Sequence, residues 1–102
     1  MSKPKYEFII EAVHRENGRV AWVRGYRRRF VHYSDWEILS RGELIRWLVE
    51  GKAVAVGQRR PLMGNDFDIQ DEVVLLFREG KPWLGTASNP QGERELEGVP
   101  EV

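Results

Sequence analysis

Residues 8–25 read FIIEAVHRENGRVAWVRG, two segments of alternating character joined by Asn17-Gly18. Asn-Gly is typical of a two-residue type I′ turn, because both central residues of that turn need positive φ. The stretch therefore predicts a β-hairpin whose loop consists of these two residues. In that hairpin Glu16 lies opposite Arg19, and the pairing continues outward in the same register.

This register separates the hairpin into an apolar face and a charged face. The apolar face, expected to lie against the core, carries Phe8, Ile10, Ala12, Ala21, Val23 and Gly25. The other face carries the cross-strand pairs Val13–Trp22, Ile9–Tyr26, Glu11–Arg24 and Glu7–Arg28. A slip of one residue would lose both the apolar face and the acid–arginine pairing, so the sequence favours this register strongly.

A helix over about residues 41–50 is signalled at both of its ends. Ser40 and Glu43 have the spacing of a capping box, and Leu39 and Leu44 occupy the positions of a hydrophobic staple. Gly51 stands where a helix commonly ends in left-handed backbone. The apolar stripe of this helix consists of Leu44, Ile45, Leu48 and Val49, with Trp47 beside it.

Four further segments have the composition of strands. They are residues 30–36, 53–56, 72–78 and 81–86, with Gly25 as a bend or bulge before the first and Pro82 indicating an edge position for the last. Residues 57–71 are interpreted as a long irregular loop. We therefore predict an α+β fold: a mostly antiparallel, curled sheet of about five or six strands, with one helix packed on a face.

Size and composition predict one domain. Residues 1–86 make up this α+β domain, and residues 87–102, rich in Asn, Pro, Gly and Glu, are expected to form a mobile acidic tail. The longest apolar run, residues 73–77, is too short to cross a bilayer, and the N-terminus lacks the apolar stretch of a signal peptide. The absence of cysteine excludes disulfides and thiolate chemistry. We expect a cytoplasmic protein without a membrane partner.

Charge is balanced in total but segregated along the chain. Residues 1–65 hold thirteen Lys/Arg and seven Asp/Glu, whereas residues 66–102 hold three and nine. A basic stretch attracts polyanions, so this asymmetry points to a charged partner. A fold that neutralises itself internally shows the same pattern, and both interpretations stay open.

The segment 24–36 is the best candidate for binding, because it interleaves arginines with aromatic residues. Arg24 and Arg28 have glutamates opposite them in the predicted register, which leaves Arg27 and Arg29 free for a ligand. The candidate binding residues are Trp22, Tyr26, Arg27, Arg29, Tyr33 and Trp36. Trp, Tyr and Arg dominate protein-interaction hot spots, so the first hypothesis is a non-enzymatic module that binds a protein partner or forms a homodimer. The alternative is single-stranded nucleic-acid binding, in which the rings stack on bases and the arginines neutralise phosphates.

The chemistry of other sites finds little support in the sequence. The carboxylates of Asp66, Asp68 and Asp71 are spaced so that their oxygens could bind a hard cation. The segment lacks the glycine of an EF-hand loop, so a solvated acidic loop is favoured over a metal site. His14 and His32 are the only histidines, and neither belongs to a triad arrangement. No phosphate-binding glycine loop is present. We predict no enzyme activity and no cofactor.

Four segments of the chain occur in the same order as similar segments in a known group of proteins. They are residues 6–10 (YEFII), 40–51 (SRGELIRWLVEG), 54–56 (VAV) and 96–100 (LEGVP). This order resembles a family of small bacterial proteins known only as a domain of unknown function. The chain departs from that pattern in residues 27–36 and in the acidic residues 66–72. The resemblance implies a compact α+β accessory protein and no assigned activity.

Overall fold

Six strands and one helix make up the fold of the described part of the chain. They follow one another as β1 (Phe8–Glu16), β2 (Arg19–Arg29), β3 (His32–Ser40), α1 (Arg41–Val49), β4 (Val54–Arg59), β5 (Phe67–Arg78) and β6 (Lys81–Thr86). The computed structural model describes residues 5–62 and 66–102. The strands form one open sheet in the order β3-β2-β1-β4-β5-β6, in which β1 and β4 run parallel and all other neighbours antiparallel. The predicted α+β class is confirmed.

The hairpin forms as predicted at its turn and differs in its middle. Asn17 and Gly18 have φ values of 56° and 78°, as a type I′ turn requires. The predicted register holds at both ends but slips by one between two β-bulges, so Val13 lies opposite Val23 instead of Trp22. A bulge reverses the alternation of faces. As a result the core cluster takes in Val13 and Val20 in place of Ala12 and Ala21, and larger apolar side chains are buried.

Gly25 lies within β2, which continues from Arg19 to Arg29. A Cβ atom at this position would lie 2.1 Å from the carbonyl oxygen of Ile9 and 2.6 Å from the Phe8 ring. The glycine is needed because strand β1 and its Phe8 side chain approach so closely. Of the bend or bulge predicted at Gly25, the structure has a β-bulge in the facing strand, between Ile10 and Ala12. The irregularity between β2 and β3 lies between Tyr26 and Arg28.

The ends of α1 are confirmed and its buried face is corrected. The Ser40 hydroxyl accepts a hydrogen bond of 3.2 Å from the Glu43 N–H, and Gly51 has a φ of +86°. Leu44 and Trp47 are buried, whereas Val49 is exposed, so the apolar stripe runs closer to Trp47 than predicted. The Trp47 ring meets Phe8 of β1 edge-on at 6.1 Å, and this contact fixes the helix on one face of the sheet.

Most of the predicted loop at 57–71 is strand. β4 extends to Arg59 and β5 begins at Phe67, so the connection between them is short. The first half of β5 pairs with β4 and the second half with β6. The aspartates of this segment favour a loop in the sequence, but Asp71 and Glu72 are only partly exposed within β5. β6 lies at the edge of the sheet, as Pro82 predicted.

The C-terminal segment 87–102 is packed against the sheet, unlike the mobile tail that its composition predicts. Leu96 and Val99 belong to the core cluster. The Leu96 N–H donates to the Leu84 carbonyl in β6, and the Val102 N–H donates to the Val13 carbonyl in β1. The segment therefore crosses from β6 to β1 and covers part of the core. Average composition concealed its two buried apolar residues.

A buried carboxylate anchors this segment. The Glu95 side chain is fully buried and accepts four hydrogen bonds: two from the Arg41 guanidinium at 2.9 and 2.7 Å, and one each from the N–H groups of Val20 and Leu84 at 2.8 and 3.0 Å. Burial alone would raise the pKa of Glu95, but these donors outweigh it and lower the pKa below its ordinary value.

A buried arginine completes the attachment of the C-terminal segment. The Arg15 guanidinium donates to the carbonyl oxygens of Glu95, Leu96 and Val99, and it also pairs with the Glu101 carboxylate at 2.7 Å. Each of these acceptors lies in the C-terminal segment. Arg15 and Glu95 together attach the segment to β1, β2, β6 and α1.

Candidate binding face

The face of the sheet turned away from α1 carries most of the predicted binding residues. Because Phe8 and Ile10 face the helix, the row Ile9–Tyr26–Trp36 across β1, β2 and β3 faces the other way. We call this side the open face. It has two regions that differ in how far their side chains are available to a partner.

The first region is an aromatic cluster formed by Tyr26, Tyr33 and Phe67. The Phe67 ring lies 5.2 Å from the Tyr26 ring and 4.9 Å from the Tyr33 ring. The Arg59 guanidinium stacks on Tyr26 at 4.2 Å and donates to the carbonyl oxygens of Tyr33 and Ser34. The rings therefore pack against one another and against Arg59, in the manner of a second small core.

The hydroxyl groups of this cluster are also engaged. Tyr26 donates to the Glu11 carboxylate and Tyr33 to the Tyr6 carbonyl, each at 2.8 Å. Burial raises the pKa of both tyrosines, and the Glu11 carboxylate adds to the increase at Tyr26. Both residues are predicted binding residues, and the structure gives them a packing role. Phe67 and Arg59 were missed because they fall in the predicted loop.

The arginines of the segment are paired with carboxylates. Arg24 pairs with Glu11 at 2.8 Å and Arg28 pairs with Glu7, as predicted. Arg27 and Arg29 both contact Glu37 at 3.1 Å, so the prediction that they are free is wrong. Arg27 points to the helix side, where its guanidinium carbon lies 5.0 Å from the Trp47 ring centroid.

Glu37 is a further residue that the sequence reasoning missed. Burial acts to raise its pKa, but the Ser34 hydroxyl and the guanidinium groups of Arg27 and Arg29 lower it overall. The carboxylate is therefore held in its charged form between two arginines. Reading residues 35–39 as a strand with alternating faces could have identified Glu37 as a partner of arginines on β2.

The second region of the open face is exposed and lies along β3. We call it the β3 patch and define it by four residues: Trp22, Arg24, Trp36 and Ile38. The Trp36 side chain is 57% exposed and Ile38 is 48% exposed. The Arg24 guanidinium lies 5.6 Å from the Trp36 ring, and His14 stacks on Trp22 at 5.0 Å. β3 lies at the edge of the sheet and pairs only with β2 among the described strands.

Two of the three aspartates proposed as weak cation ligands have other partners for their side chains. Asp68 pairs with Arg60 at 2.9 Å, and Asp71 accepts hydrogen bonds from the N–H groups of Glu72 and Ser88. Burial would raise the pKa of Asp71, but these donors lower it. Within residues 5–62 and 66–102, no three His, Asp or Glu side chains are grouped so that they could hold a metal ion. The structure does not assemble Asp66, Asp68 and Asp71 into a site.

Comparison of the chain with protein-family models, with curated proteins and with solved structures gives no match. The resemblance to the small bacterial family therefore stays a prediction. In the described part of the chain, no helix has the length and apolar composition needed to span a membrane.

Proposed function

We propose that this protein is a protein-binding module and that a second copy of the chain occupies the β3 patch. The observation that carries the proposal is the pair of exposed apolar side chains, Trp36 and Ile38, beside a sheet edge that no described strand covers. An edge strand presents free N–H and C=O groups to any chain that can pair with it. Trp and Arg are the residue types most enriched in interaction hot spots.

The register of an antiparallel β3–β3 pair supports self-association. If Glu37 lies opposite Glu37 of the second copy, Trp36 lies opposite Ile38 of the second copy, and the symmetric contact repeats this pair. Aromatic–β-branched pairs stabilise antiparallel strands. The two facing Glu37 carboxylates are tolerated because each already contacts Arg27 and Arg29. The same patch on both subunits gives a closed two-fold dimer.

Charge also favours a protein partner over a nucleic acid. A phosphate backbone is bound by cations that are available to it. The four arginines of the segment instead contact carboxylates within the protein: Arg24, Arg27, Arg28 and Arg29. The chain has a formal net charge of zero, so two copies approach without net repulsion. Single-stranded nucleic-acid binding by residues 24–36 is the second candidate, and only the exposed Trp36 ring supports it.

The experiment that tests the proposal is light scattering over a range of protein concentrations. We expect the parent protein to form a dimer at high micromolar concentration, and a Trp36→Ser/Ile38→Ser variant to stay monomeric. The matched control is Phe77→Ser, because Phe77 is 65% exposed and lies on β5 away from the patch; it should dimerise like the parent. A monomeric parent, or a double variant that dimerises equally well, overturns the proposal. Oligonucleotide binding that persists at physiological salt and requires Trp36 would support the second candidate instead.

A further inference from the structure

A cavity of about 540 Å³ opens where the β1–β2 turn approaches the β5–β6 turn. Six residues line it: Arg19, Arg78, Glu79, Lys81, Trp83 and Gln91. None of them belongs to the β3 patch, so the cavity is a separate feature of the molecule. Its volume lies in the range of small-molecule sites in proteins.

The cavity carries positive charge that the fold leaves uncompensated. Three of the lining residues are cations and one is a carboxylate, which gives a formal charge of +2. In the part of the chain that the structure describes, neither Arg19 nor Lys81 forms an ion pair, and Arg78 donates to the Gly92 carbonyl instead of to an acid. Lys81 also lies directly opposite Arg78 across β5 and β6. Like charges in that position destabilise a strand pair, and a bound anion removes the cost.

Trp83 is a second distinctive feature of the cavity lining. Its side chain is 9% exposed, and its indole N–H has no acceptor among the described residues. A buried donor without an acceptor is unfavourable and rare in folded proteins. The Arg78 guanidinium carbon lies 3.9 Å from the centroid of this ring, so the indole holds a cation at the cavity. Because Trp83 also lines the cavity, a ligand bound there would lie against this ring and contact the same cation.

We propose that this cavity binds a small phosphate monoester through Arg19, Arg78 and Lys81, against the Trp83 ring. A phosphate monoester carries a charge of about −1.5 to −2 at neutral pH, which matches the charge of the cavity. Guanidinium groups fit its oxygens in a bidentate manner and an ammonium group adds a point charge. The cavity is larger than a phosphate group alone, so it also has room for the organic part, beside the amide of Gln91.

The surroundings of the cavity favour a small ligand over a nucleic acid. Glu79 lies among the lining residues and repels further phosphates. Residues 66–102, which supply most of the lining, carry an excess of acidic residues, with nine Asp/Glu against three Lys/Arg. A polyanion needs a continuous track of cations along its backbone. Here the cations are confined to one cavity.

The test is a titration followed through the indole N–H signals of the four tryptophans by nitrogen-15 NMR. A Trp83→Phe variant assigns the relevant signal. The probes are ribose 5-phosphate and inorganic phosphate, with ribose and sodium chloride at matched ionic strength as controls. We expect a saturable shift of the Trp83 signal, with tighter binding of ribose 5-phosphate than of inorganic phosphate and no saturable response to either control.

Substitutions then connect the signal to the cavity. Arg19→Gln and Lys81→Gln should each weaken binding by about tenfold, the factor expected for loss of one charge-assisted hydrogen bond. The matched control is Arg46→Gln, an exposed arginine on α1 that does not line the cavity, which should leave the affinity unchanged. The absence of a saturable shift overturns the proposal, and so does equal weakening by Arg46→Gln. Tighter binding of a single-stranded oligonucleotide than of ribose 5-phosphate, through the same residues, overturns the assignment to a small ligand.

Discussion

Replacing Glu95 by glutamine should destabilise this protein far more than its single-atom change suggests. The carboxylate accepts four hydrogen bonds, and each of its oxygens meets one guanidinium N–H of Arg41 and one backbone N–H, from Val20 or Leu84. Glutamine has one oxygen and one NH₂ group. Whichever way the amide is turned, its NH₂ group faces two donors and leaves both without an acceptor.

The cost can be worked out from these contacts. A backbone N–H left without an acceptor in a buried position costs about 1–3 kcal/mol. Removing one partner of a buried ion pair costs about 3–5 kcal/mol, and because the Arg41 side chain is 24% exposed we take the lower end of that range or less. The two costs overlap, since both arise at the same amide group. We expect Glu95→Gln to lower the free energy of unfolding by about 3 kcal/mol, a large part of the roughly 5–15 kcal/mol typical of a domain.

Urea denaturation at neutral pH measures this difference. The matched control is Glu97→Gln, two residues further along the same segment, where the carboxylate pairs with the half-exposed Arg94 at 2.7 Å. An exposed pair of this kind contributes at most about 1 kcal/mol. If the two variants lose equal stability, Glu95 does not anchor the C-terminal segment, and the interpretation of the buried network is refuted.

The pH dependence of the same pair of proteins gives a second check. The pKa of Glu95 is lower in the folded state than its ordinary value of 4.5. The unfolded chain therefore binds a proton at this position more readily than the folded protein, so the stabilisation is present above about pH 4.5 and is lost as the pH falls through the folded pKa. The difference in unfolding free energy between the parent and Glu95→Gln should be constant near neutral pH and should shrink under acid conditions. A difference that grows on acidification contradicts the argument.

Three further outcomes follow from the structure. Gly25→Ala places a Cβ atom 2.1 Å from the Ile9 carbonyl oxygen and should lower the free energy of unfolding, measured by heat or urea, by about 1–3 kcal/mol or more. Gly42→Ala, in open space on α1, is the control and should raise it by roughly 0.5–1 kcal/mol. Equal effects of the two substitutions would contradict the close approach at Gly25. Ser40→Ala removes the N-cap of α1 and should lower the unfolding free energy by about 1 kcal/mol, and no loss would show that the cap is dispensable. Ribose 5-phosphate binding, followed at the Trp83 signal, should weaken as the pH falls through about 6, where the phosphate loses its second charge; a pH-independent affinity would exclude recognition of the dianion.

The features that could be predicted from the sequence are those determined by neighbouring residues. Asn17-Gly18 specifies its turn because positive φ suits these two residues, and Ser40 with Glu43 specifies the start of α1 through hydrogen bonds three residues apart. Both signals act within four positions of the chain. Their physical cause is local, and the structure contains both elements where they were expected.

The features that could not be predicted depend on distant partners. The bulges around Glu11 and Ala21 exist because they place Val13 and Val20 in the core, and that advantage appears only when the rest of the core is present. The burial of Leu96 depends on its contact with Leu84 of β6. Only the folded chain brings these two residues together. Composition averaged over a segment cannot show which few of its residues find such partners.

In the candidate site, too, local features could be predicted from the sequence and long-range contacts could not. Trp36 was chosen as a candidate from local properties, its residue type and its strand position, and the structure shows that it is exposed. The prediction that Arg27 and Arg29 are free to bind a ligand was wrong, because both contact Glu37. Glu37 lies on the neighbouring strand β3, whose register with β2 contains an irregularity. Side-chain pairing across strands is decided by register, and a single irregularity changes it.

The segregation of charge along the chain is explained largely by the fold. Four ion pairs join the basic first part of the chain to the acidic second part: Lys5–Glu72, Arg15–Glu101, Arg41–Glu95 and Arg60–Asp68. An unequal distribution in sequence thus becomes a balanced one in space, and it does not by itself require a charged partner. The proposed anion site is a place where this pairing is missing for a group of neighbouring cations. Arg19 and Lys81 come together with Arg78 at one cavity without forming an ion pair among the described residues, and for this reason the search for an anion should begin there rather than at the more arginine-rich strand β2.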